Sequence, residues 1–284
     1  MRKKKPESSV PRRRSSRHRK GGPMGRLTGK TAWITGGGRG IGRAIALAFA
    51  RDNANVVISS RTLAELESVV TEIESLGAGG LAVEVDAMSL DDTLASVEKI
   101  SSEFGGVDIL VNNAGGFVPP RQDDGLSAAE VDESSFIDNV DLNLFSAYRT
   151  SQVVLPRMLE NEWGRIINIG SGYAKRSGGD PAYTAAKHGL IGLTRAMAAR
   201  VASKGVTINC LCPGWTNTQL VNLDYMAAMQ KTDVATVRAR IESENLQNRI
   251  LEPEELGPMA ALLAAPESTG ITGQVISVDG GYGV

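Results

Sequence analysis

Tyr183 and Lys187 stand four residues apart, in a stretch that begins a helix after Pro181. That spacing puts both side chains on one helix face. An ammonium beside a phenol favours the phenolate, so Tyr183 is expected to titrate below its usual value of about 10. A phenol tuned in this way suits general acid/base work near neutral pH, worth roughly 10²–10⁴ in rate. The same pair also occurs as an ordinary surface contact, which contributes little. Ser171 lies twelve positions earlier and can donate a hydrogen bond to a substrate oxygen.

A glycine turn, Thr35-Gly36-Gly37-Gly38-Arg39-Gly40-Ile41-Gly42, follows one apolar run and opens a helical one. It reads T-G-x-x-x-G-x-G rather than G-x-G-x-x-G. The physics is shared: glycines let backbone N–H groups approach a pyrophosphate, and the helix N-terminus adds positive potential. The next apolar run ends at Ser59-Ser60-Arg61, where NAD-binding folds usually carry an acid for the ribose. With no acid there, Arg61 and Arg39 are expected to bracket a 2′-phosphate, which favours NADP(H) and leaves NAD(H) open. Asp86 ends a third run and can accept from an adenine amino group; Asn112-Asn113-Ala114-Gly115 ends a fourth. Taken singly, such residues are also ordinary turn formers.

These residues need a frame that gathers them at one edge. From Thr31 the chain alternates short β-branched runs with helical stretches. The predicted strands are Thr31–Thr35, Asn55–Ser59, Leu81–Val85, Asp108–Val111, Arg165–Ile169, Val206–Cys210 and Val275–Val278. Continuous apolar runs fit strands covered on both faces. Ile41, Ile45 and Phe49 form one helical stripe; Leu63, Leu66, Val70 and Ile73 form another, with Thr62 and Glu65 as a capping box at its start. The expected fold is α/β: a Rossmann-type, doubly wound, seven-stranded and mostly parallel sheet with helices on both faces.

The 284 residues are 42% hydrophobic and 22% charged, which fits one large soluble α/β domain. Two cysteines make no disulfide framework, and no apolar run is long enough to span a membrane. Cys210 and Cys212 are expected on one strand face as core thiols. The net charge of −1 hides an asymmetry: residues 1–23 hold ten Lys/Arg against Glu7, so the remainder carries −10. An acidic body is a poor nucleic-acid binder. Residues 1–23 read as a disordered basic tail, or as upstream of a true start at Met24, with a basic arm or targeting peptide as further readings. The body, 24–284, reads as one catalytic domain located in the cytoplasm. Its single histidine, His188, neighbours Lys187 and points off that face, so no histidine–metal chemistry is expected.

Thr35–Gly42, Asn112–Gly115, Ser171, Tyr183–Lys187, Pro213-Gly214 and the closing Val278-Asp279-Gly280-Gly281 together resemble the short-chain dehydrogenase/reductase family over about residues 25–284. The resemblance implies that Tyr183 is the proton donor in carbonyl reduction and the base in alcohol oxidation. It implies that Lys187 lowers the tyrosine pKa and binds the nicotinamide ribose, and that Ser171 polarises the substrate carbonyl. Asn143 matches the asparagine whose backbone holds a relay water. Asp86, Ala87, Asn113, Ala114 and Gly115 match the adenosine side; Pro213, Gly214, Thr216 and Thr218 match the nicotinamide end. The segment at about 215–250 matches the family's substrate lid, and a homotetramer or dimer is implied.

Within the family the wording resembles 3-oxoacyl-thioester and polyketide ketoreductases, and 3-hydroxybutyrate dehydrogenases. The last group binds a carboxylate with Gln, His and Lys, where this chain has Phe117, Tyr173 and Asp180. The Ser171–Tyr183 spacing is one shorter than the commoner thirteen. Phe117, Tyr173 and Trp215 are expected to line an apolar pocket, with Met226 and Met229 either joining it or packing in a core or interface; Lys175 and Arg176 are either solvated or positioned for a phosphopantetheine or coenzyme A. The reading is an NADP(H)-linked ketone/secondary-alcohol oxidoreductase. An NAD-linked hydroxy-acid or cyclic-alcohol dehydrogenase, or a non-catalytic dinucleotide binder, remains as an alternative.

Overall fold

Apolar runs become interior strands because a strand sandwiched between helix layers has no wet face. In the computed structural model, which describes residues 25–118 and 133–283, seven runs do so. They are β1 (Thr31–Thr35), β2 (Asn55–Ser60), β3 (Gly80–Glu84), β4 (Ile109–Asn112), β5 (Gly164–Ile169), β6 (Val206–Pro213) and β7 (Val275–Val278). All pair in parallel, in the order β3-β2-β1-β4-β5-β6-β7. The expected strands agree to within about a residue, except that β6 runs on to Pro213. The basic tail, residues 1–23, lies outside the described residues.

Helices α1 (Gly40–Arg51) and α2 (Leu63–Ser75) cover one face with α9 (Gly257–Ala264). Helices α3 (Leu90–Phe104), α5 (Ser146–Glu160) and α6 (Pro181–Val201) cover the other. The short α4 (Glu133–Val140) leads into α5. Beyond β6 come α7 (Leu223–Met229) and α8 (Val234–Ser243), which share a small core of Ala227, Val237 and Ile241. The stripes are largely as expected: Ile45, Phe49, Leu66 and Ile73 are fully buried, but Leu63 is 40% exposed. The capping box does not form. Thr62 makes no side-chain cap, because Glu65 turns instead to Arg39.

The sheet order reverses between β1 and β4, and such a switch opens a crevice at the carboxyl ends of the strands. The glycine turn follows β1 and Asn113–Gly115 follows β4, so both sit at this crevice. Beneath it Asn112 joins the layers, donating to Asn168 Oδ1 at 2.8 Å and Ser151 Oγ at 3.0 Å and accepting from Thr150 at 2.5 Å. Asn168 passes the chain on to Thr194 of α6 at 2.9 Å. A fully paired buried network of this kind rigidifies the elements it joins.

Candidate active site

The glycine turn is held open from below. Gly36 takes φ +65°, and any side chain at Gly42 would overlap the Gly36 carbonyl and the Asn113 amide. Asn113 donates its amide to the carbonyls of Thr35 and Gly36, at 2.9 and 3.0 Å. The Thr35 hydroxyl in turn accepts from the N–H groups of Asn113 and Ala114. The amide of Asn113 therefore shapes the turn, where the resemblance implied a contact with adenosine. Helix α1 starts with no side-chain cap and no acid in its first turn, so its free N–H groups suit an anion.

The two arginines are not brought together. Arg39 pairs with Glu65 at 3.4 Å and bonds to Gln219. Arg61 lines a groove with Val83, Asp86 and Lys99, and makes no ion pair among the described residues. A carboxylate of α2, Glu65, thus comes close to the glycine turn. Glu65 Oε2 lies 3.4 Å from where a Cβ on Gly38 would be. Asp86 is exposed and accepts from Met88 N, with Ala87 between them.

Helix α6 sets the acid/base pair. Asp180 is its N-cap, accepting from the N–H of Tyr183 itself at 2.9 Å, with Pro181 opening the first turn. Lys187 is buried and donates to Ile169 O at 2.9 Å, its Nζ 5.6 Å from the centre of the Tyr183 ring. The expected low tyrosine pKa is not found in this state. Burial pushes the Tyr183 phenol up, against the Ser171 hydroxyl, which favours the phenolate. Burial also lowers Lys187 to about 8. In both groups desolvation is the largest cause, since burial penalises the charged form. The Ser171 oxygen accepts from Tyr173 N at 3.1 Å, and its hydroxyl faces the Tyr183 phenol.

Asn143 lies on the π-helical turn Asp141–Phe145 that joins α4 to α5. Such turns mark functional sites more often than chance. Its side chain accepts from Gly116 N at 3.0 Å and donates to Gly116 O at 2.7 Å and Asn139 O at 2.9 Å. Asn139, one turn earlier, closes the same two-way bond on Val118, at 2.9 and 2.8 Å. The pair fixes the backbone on both sides of Phe117, whose ring is 47% exposed. A Cβ on Gly115 would come within 2.7 Å of Asn143 Oδ1 and 3.3 Å of Lys187 Nζ, so the three residues converge. Sequence reasoning missed Asn139; its signal was an asparagine four residues before Asn143.

After β6 the chain bends at Gly214 over the crevice. Thr216 is buried and bonds back to Gly214 O at 3.0 Å. Thr218 Cγ2 lies 3.2 Å from a Cβ position on Gly40, so this segment reaches the glycine turn. Trp215 donates to Glu244 at 2.9 Å and stands edge-on to Tyr173, ring centres 6.2 Å apart. Met226 packs against the α7–α8 core, while Met229 is 67% exposed. Lys175 is bonded to Ser277 and Asp279, and Arg176 stacks on Tyr282. Neither is therefore an idle cation for a phosphopantetheine. Cys210 and Cys212 are buried on one face, sulfurs 3.8 Å apart, as the strand spacing required. His188 bonds to Thr184 O and is exposed.

The glycine turn, the serine and the Tyr-x-x-x-Lys helix coincide with a family-wide match. Residues 30–226 match the model of the short chain dehydrogenases. The chain belongs to this family of oxidoreductases. It is 34% identical to a D-beta-hydroxybutyrate dehydrogenase of Cupriavidus necator, over 90% of this chain and 98% of that protein. It is 36% identical to the 3-oxoacyl-[acyl-carrier-protein] reductase of Vibrio cholerae, over 90% and 98%. Among solved structures, a variant of actinorhodin polyketide ketoreductase with NADPH superposes with a TM-score of 0.82, at 29% identity, covering 89% of this chain and 98% of that one. Among the described residues no helix is long and apolar enough to cross a membrane.

Proposed function

We propose that this dehydrogenase interconverts a ketone and a secondary alcohol with NADP(H). The observation that carries the reading is the convergence of Ser171, Tyr183 and Lys187 with Asn143 beside the glycine turn. A bound nicotinamide supplies the hydride in reduction and takes it in oxidation. Ser171 donates a hydrogen bond to the carbonyl oxygen and polarises it, keeping its own proton. Tyr183 delivers the proton that makes the alcohol, and removes it in the reverse direction. Lys187, anchored on Ile169 O and close to Gly115, would hold the ribose of a bound cofactor. Its charge lowers the cost of a phenolate at Tyr183. Asn143 spends its side chain on Gly116 and Asn139, so its part in a proton relay falls to its backbone.

The glycine turn, with Gly36, Gly38, Gly40, Ile41 and Gly42, cradles the pyrophosphate. Arg61 takes the 2′-phosphate, and Arg39 joins it once released from Glu65. The NADPH held by the polyketide ketoreductase supports this choice. Pro213, Gly214, Thr216 and Thr218 bound the nicotinamide end. Residues 215–250 act as the substrate lid, with Phe117, Tyr173 and Trp215 as an apolar wall. That wall, with Asp180 committed to its helix cap, disfavours a small free carboxylate and favours a 3-oxoacyl-type or other apolar ketone. A second copy of the chain covers the exposed Phe136 and Ile137 of α4, Phe145 of the π-helical turn and Tyr148 of α5, making a homo-oligomer.

The test is oxidation of NADPH and NADH against acetoacetyl thioesters, free acetoacetate, cyclic ketones and keto-sugars. The reading expects NADPH to be preferred and an apolar ketone or thioester to turn over best. Preference for NADH, or for free acetoacetate, contradicts it.

A further inference from the structure

The closing segment Asp279–Gly283 threads between two parts of the site that are distant in sequence. On one side it holds the end of the lid. Tyr282 forms an isolated antiparallel bridge with Asn245, Gln247 N donates to Gly280 O at 3.2 Å, and Gly283 N donates to Glu244 O. On the other side it holds the loop after β5. Lys175 reaches Ser277 and Asp279, and the Arg176 guanidinium lies 4.2 Å over the Tyr282 ring. The Tyr282 ring is 6% exposed and lies directly on Gly172, where any Cβ would overlap it. Gly172 adjoins Ser171. Tyr173 stands between two rings, edge-on to Tyr282 at 6.3 Å and to Trp215 at 6.2 Å.

We propose that Tyr282 is a positioning residue for substrate recognition: its ring holds Tyr173 against Trp215 and ties the end of the lid to the loop carrying Ser171. The proposal rests on reading Tyr173 and Trp215 as the substrate wall. Edge-to-face pairs have a defined geometry, so a ring caught between two others loses its freedom to swing. Remove the Tyr282 ring and Tyr173 regains that freedom, while Gly172 loses the surface it packs on. The wall then fits an apolar substituent less well, and the cofactor side, beyond Gly115, is untouched. The Tyr282 hydroxyl lies near that of Tyr173 but makes no hydrogen bond of normal geometry among the described residues, so the role is assigned to the ring and Tyr282→Phe tests that assignment.

The experiment compares wild type with Tyr282→Phe, Tyr282→Leu, Tyr282→Ala, Tyr173→Ala and the Tyr173→Ala/Tyr282→Ala double variant. KM and kcat are measured over ketones of rising apolar size, with NADP+ affinity by fluorescence titration and Tm for each. Tyr282→Phe should behave as wild type, with Tm equal or higher. Tyr282→Leu and Tyr282→Ala should raise KM about three- to tenfold for the larger ketones, the scale of one aromatic pair. NADP+ affinity should not move, and the double variant should be no worse than Tyr173→Ala alone. An unchanged KM in Tyr282→Leu, additive effects in the double variant, or parallel losses in KM and NADP+ affinity would overturn the proposal. Should Tyr282→Ala not fold, Tyr282→Leu, which keeps apolar volume, decides. If Tyr173→Ala itself leaves KM unchanged, the wall reading fails and the proposal with it. If Tyr173→Ala raises KM and Tyr282→Leu does not, only the proposal fails.

Discussion

Beneath the crevice four polar side chains near the reacting groups are held: Asn143 on Gly116, Asn113 on the glycine turn, Lys187 on Ile169, Asp180 on the start of α6. Above it, residues 215–250 have only the small core of Ala227, Val237 and Ile241 and leave many large side chains exposed. Leu220, Tyr225, Met229 and Leu246 are 58–71% exposed, and the ion pairs of α8 are surface contacts such as Arg238–Glu242. The contrast separates two properties of the enzyme. The proton geometry comes from the sheet ends and α6, where a change strands a buried group. On the proposed reading, substrate choice rests on a segment with many exposed positions, where most changes are expected to cost little stability. Chemistry is therefore expected to be robust to lid substitutions and brittle to floor substitutions.

The contrast breaks most visibly at Tyr183. Tyr183→Phe should lower kcat about 10²–10⁴-fold with NADP+ affinity intact; a loss below tenfold would move proton transfer elsewhere. Next is Asn143→Ala, which leaves the buried N–H and C=O of Gly116 unpaired. It should cost about 1–3 kcal/mol in denaturant unfolding, and turnover with it. A neutral result would mean that the floor is not held as described.

Lys187 gives a pH signature. Its folded pKa, about 8, lies below its ordinary 10.5, so the unfolded chain binds more protons between those values. Stability contributed by this group is therefore lowest below pH 8 and rises towards pH 10.5. Tyr183 opposes this only above its ordinary value of 10, where the unfolded phenol ionises first. Lys187→Met should flatten the rise between pH 8 and 10 in urea midpoints, and an unchanged slope would contradict the burial argument.

Smaller effects sharpen the cofactor side. Glu65→Gln should free Arg39 and tighten NADP+ a few-fold, roughly 1 kcal/mol, without changing NAD+ affinity. Equal changes for both cofactors would remove Arg39 from 2′-phosphate recognition. At the bottom of the scale, Met229→Ser on the lid should stay within about 0.5 kcal/mol of wild-type stability. A larger loss would show the lid to be as tightly built as the floor.

The sheet was legible because strands buried on both faces write themselves as unbroken apolar runs, and the glycine turn and Tyr-x-x-x-Lys motif are local. Three features were not. Glu65 looked like a capping residue because its partner, Arg39, is distant in sequence and adjacent only after α2 packs beside α1. Tyr183 was expected to ionise easily because spacing reports neighbours, whereas burial, which pushes its phenol up, is set by the tertiary fold. Tyr282 carried no periodic signal; its contacts with Gly172 and Asn245 exist only because β7 delivers it there. The asparagines at 139 and 143 fall between: their spacing is visible, but their targets, Gly116 and Val118, are not.

The most direct test of the account is a single turnover: protein preloaded with NADPH is mixed with excess ketone, and loss of nicotinamide absorbance is followed for wild type and Tyr183→Phe. The account predicts rapid stoichiometric oxidation in wild type, and a rate at least about a hundredfold lower in the variant at unchanged NADPH affinity. Equal rates in the two proteins would contradict the assignment of proton transfer to Tyr183.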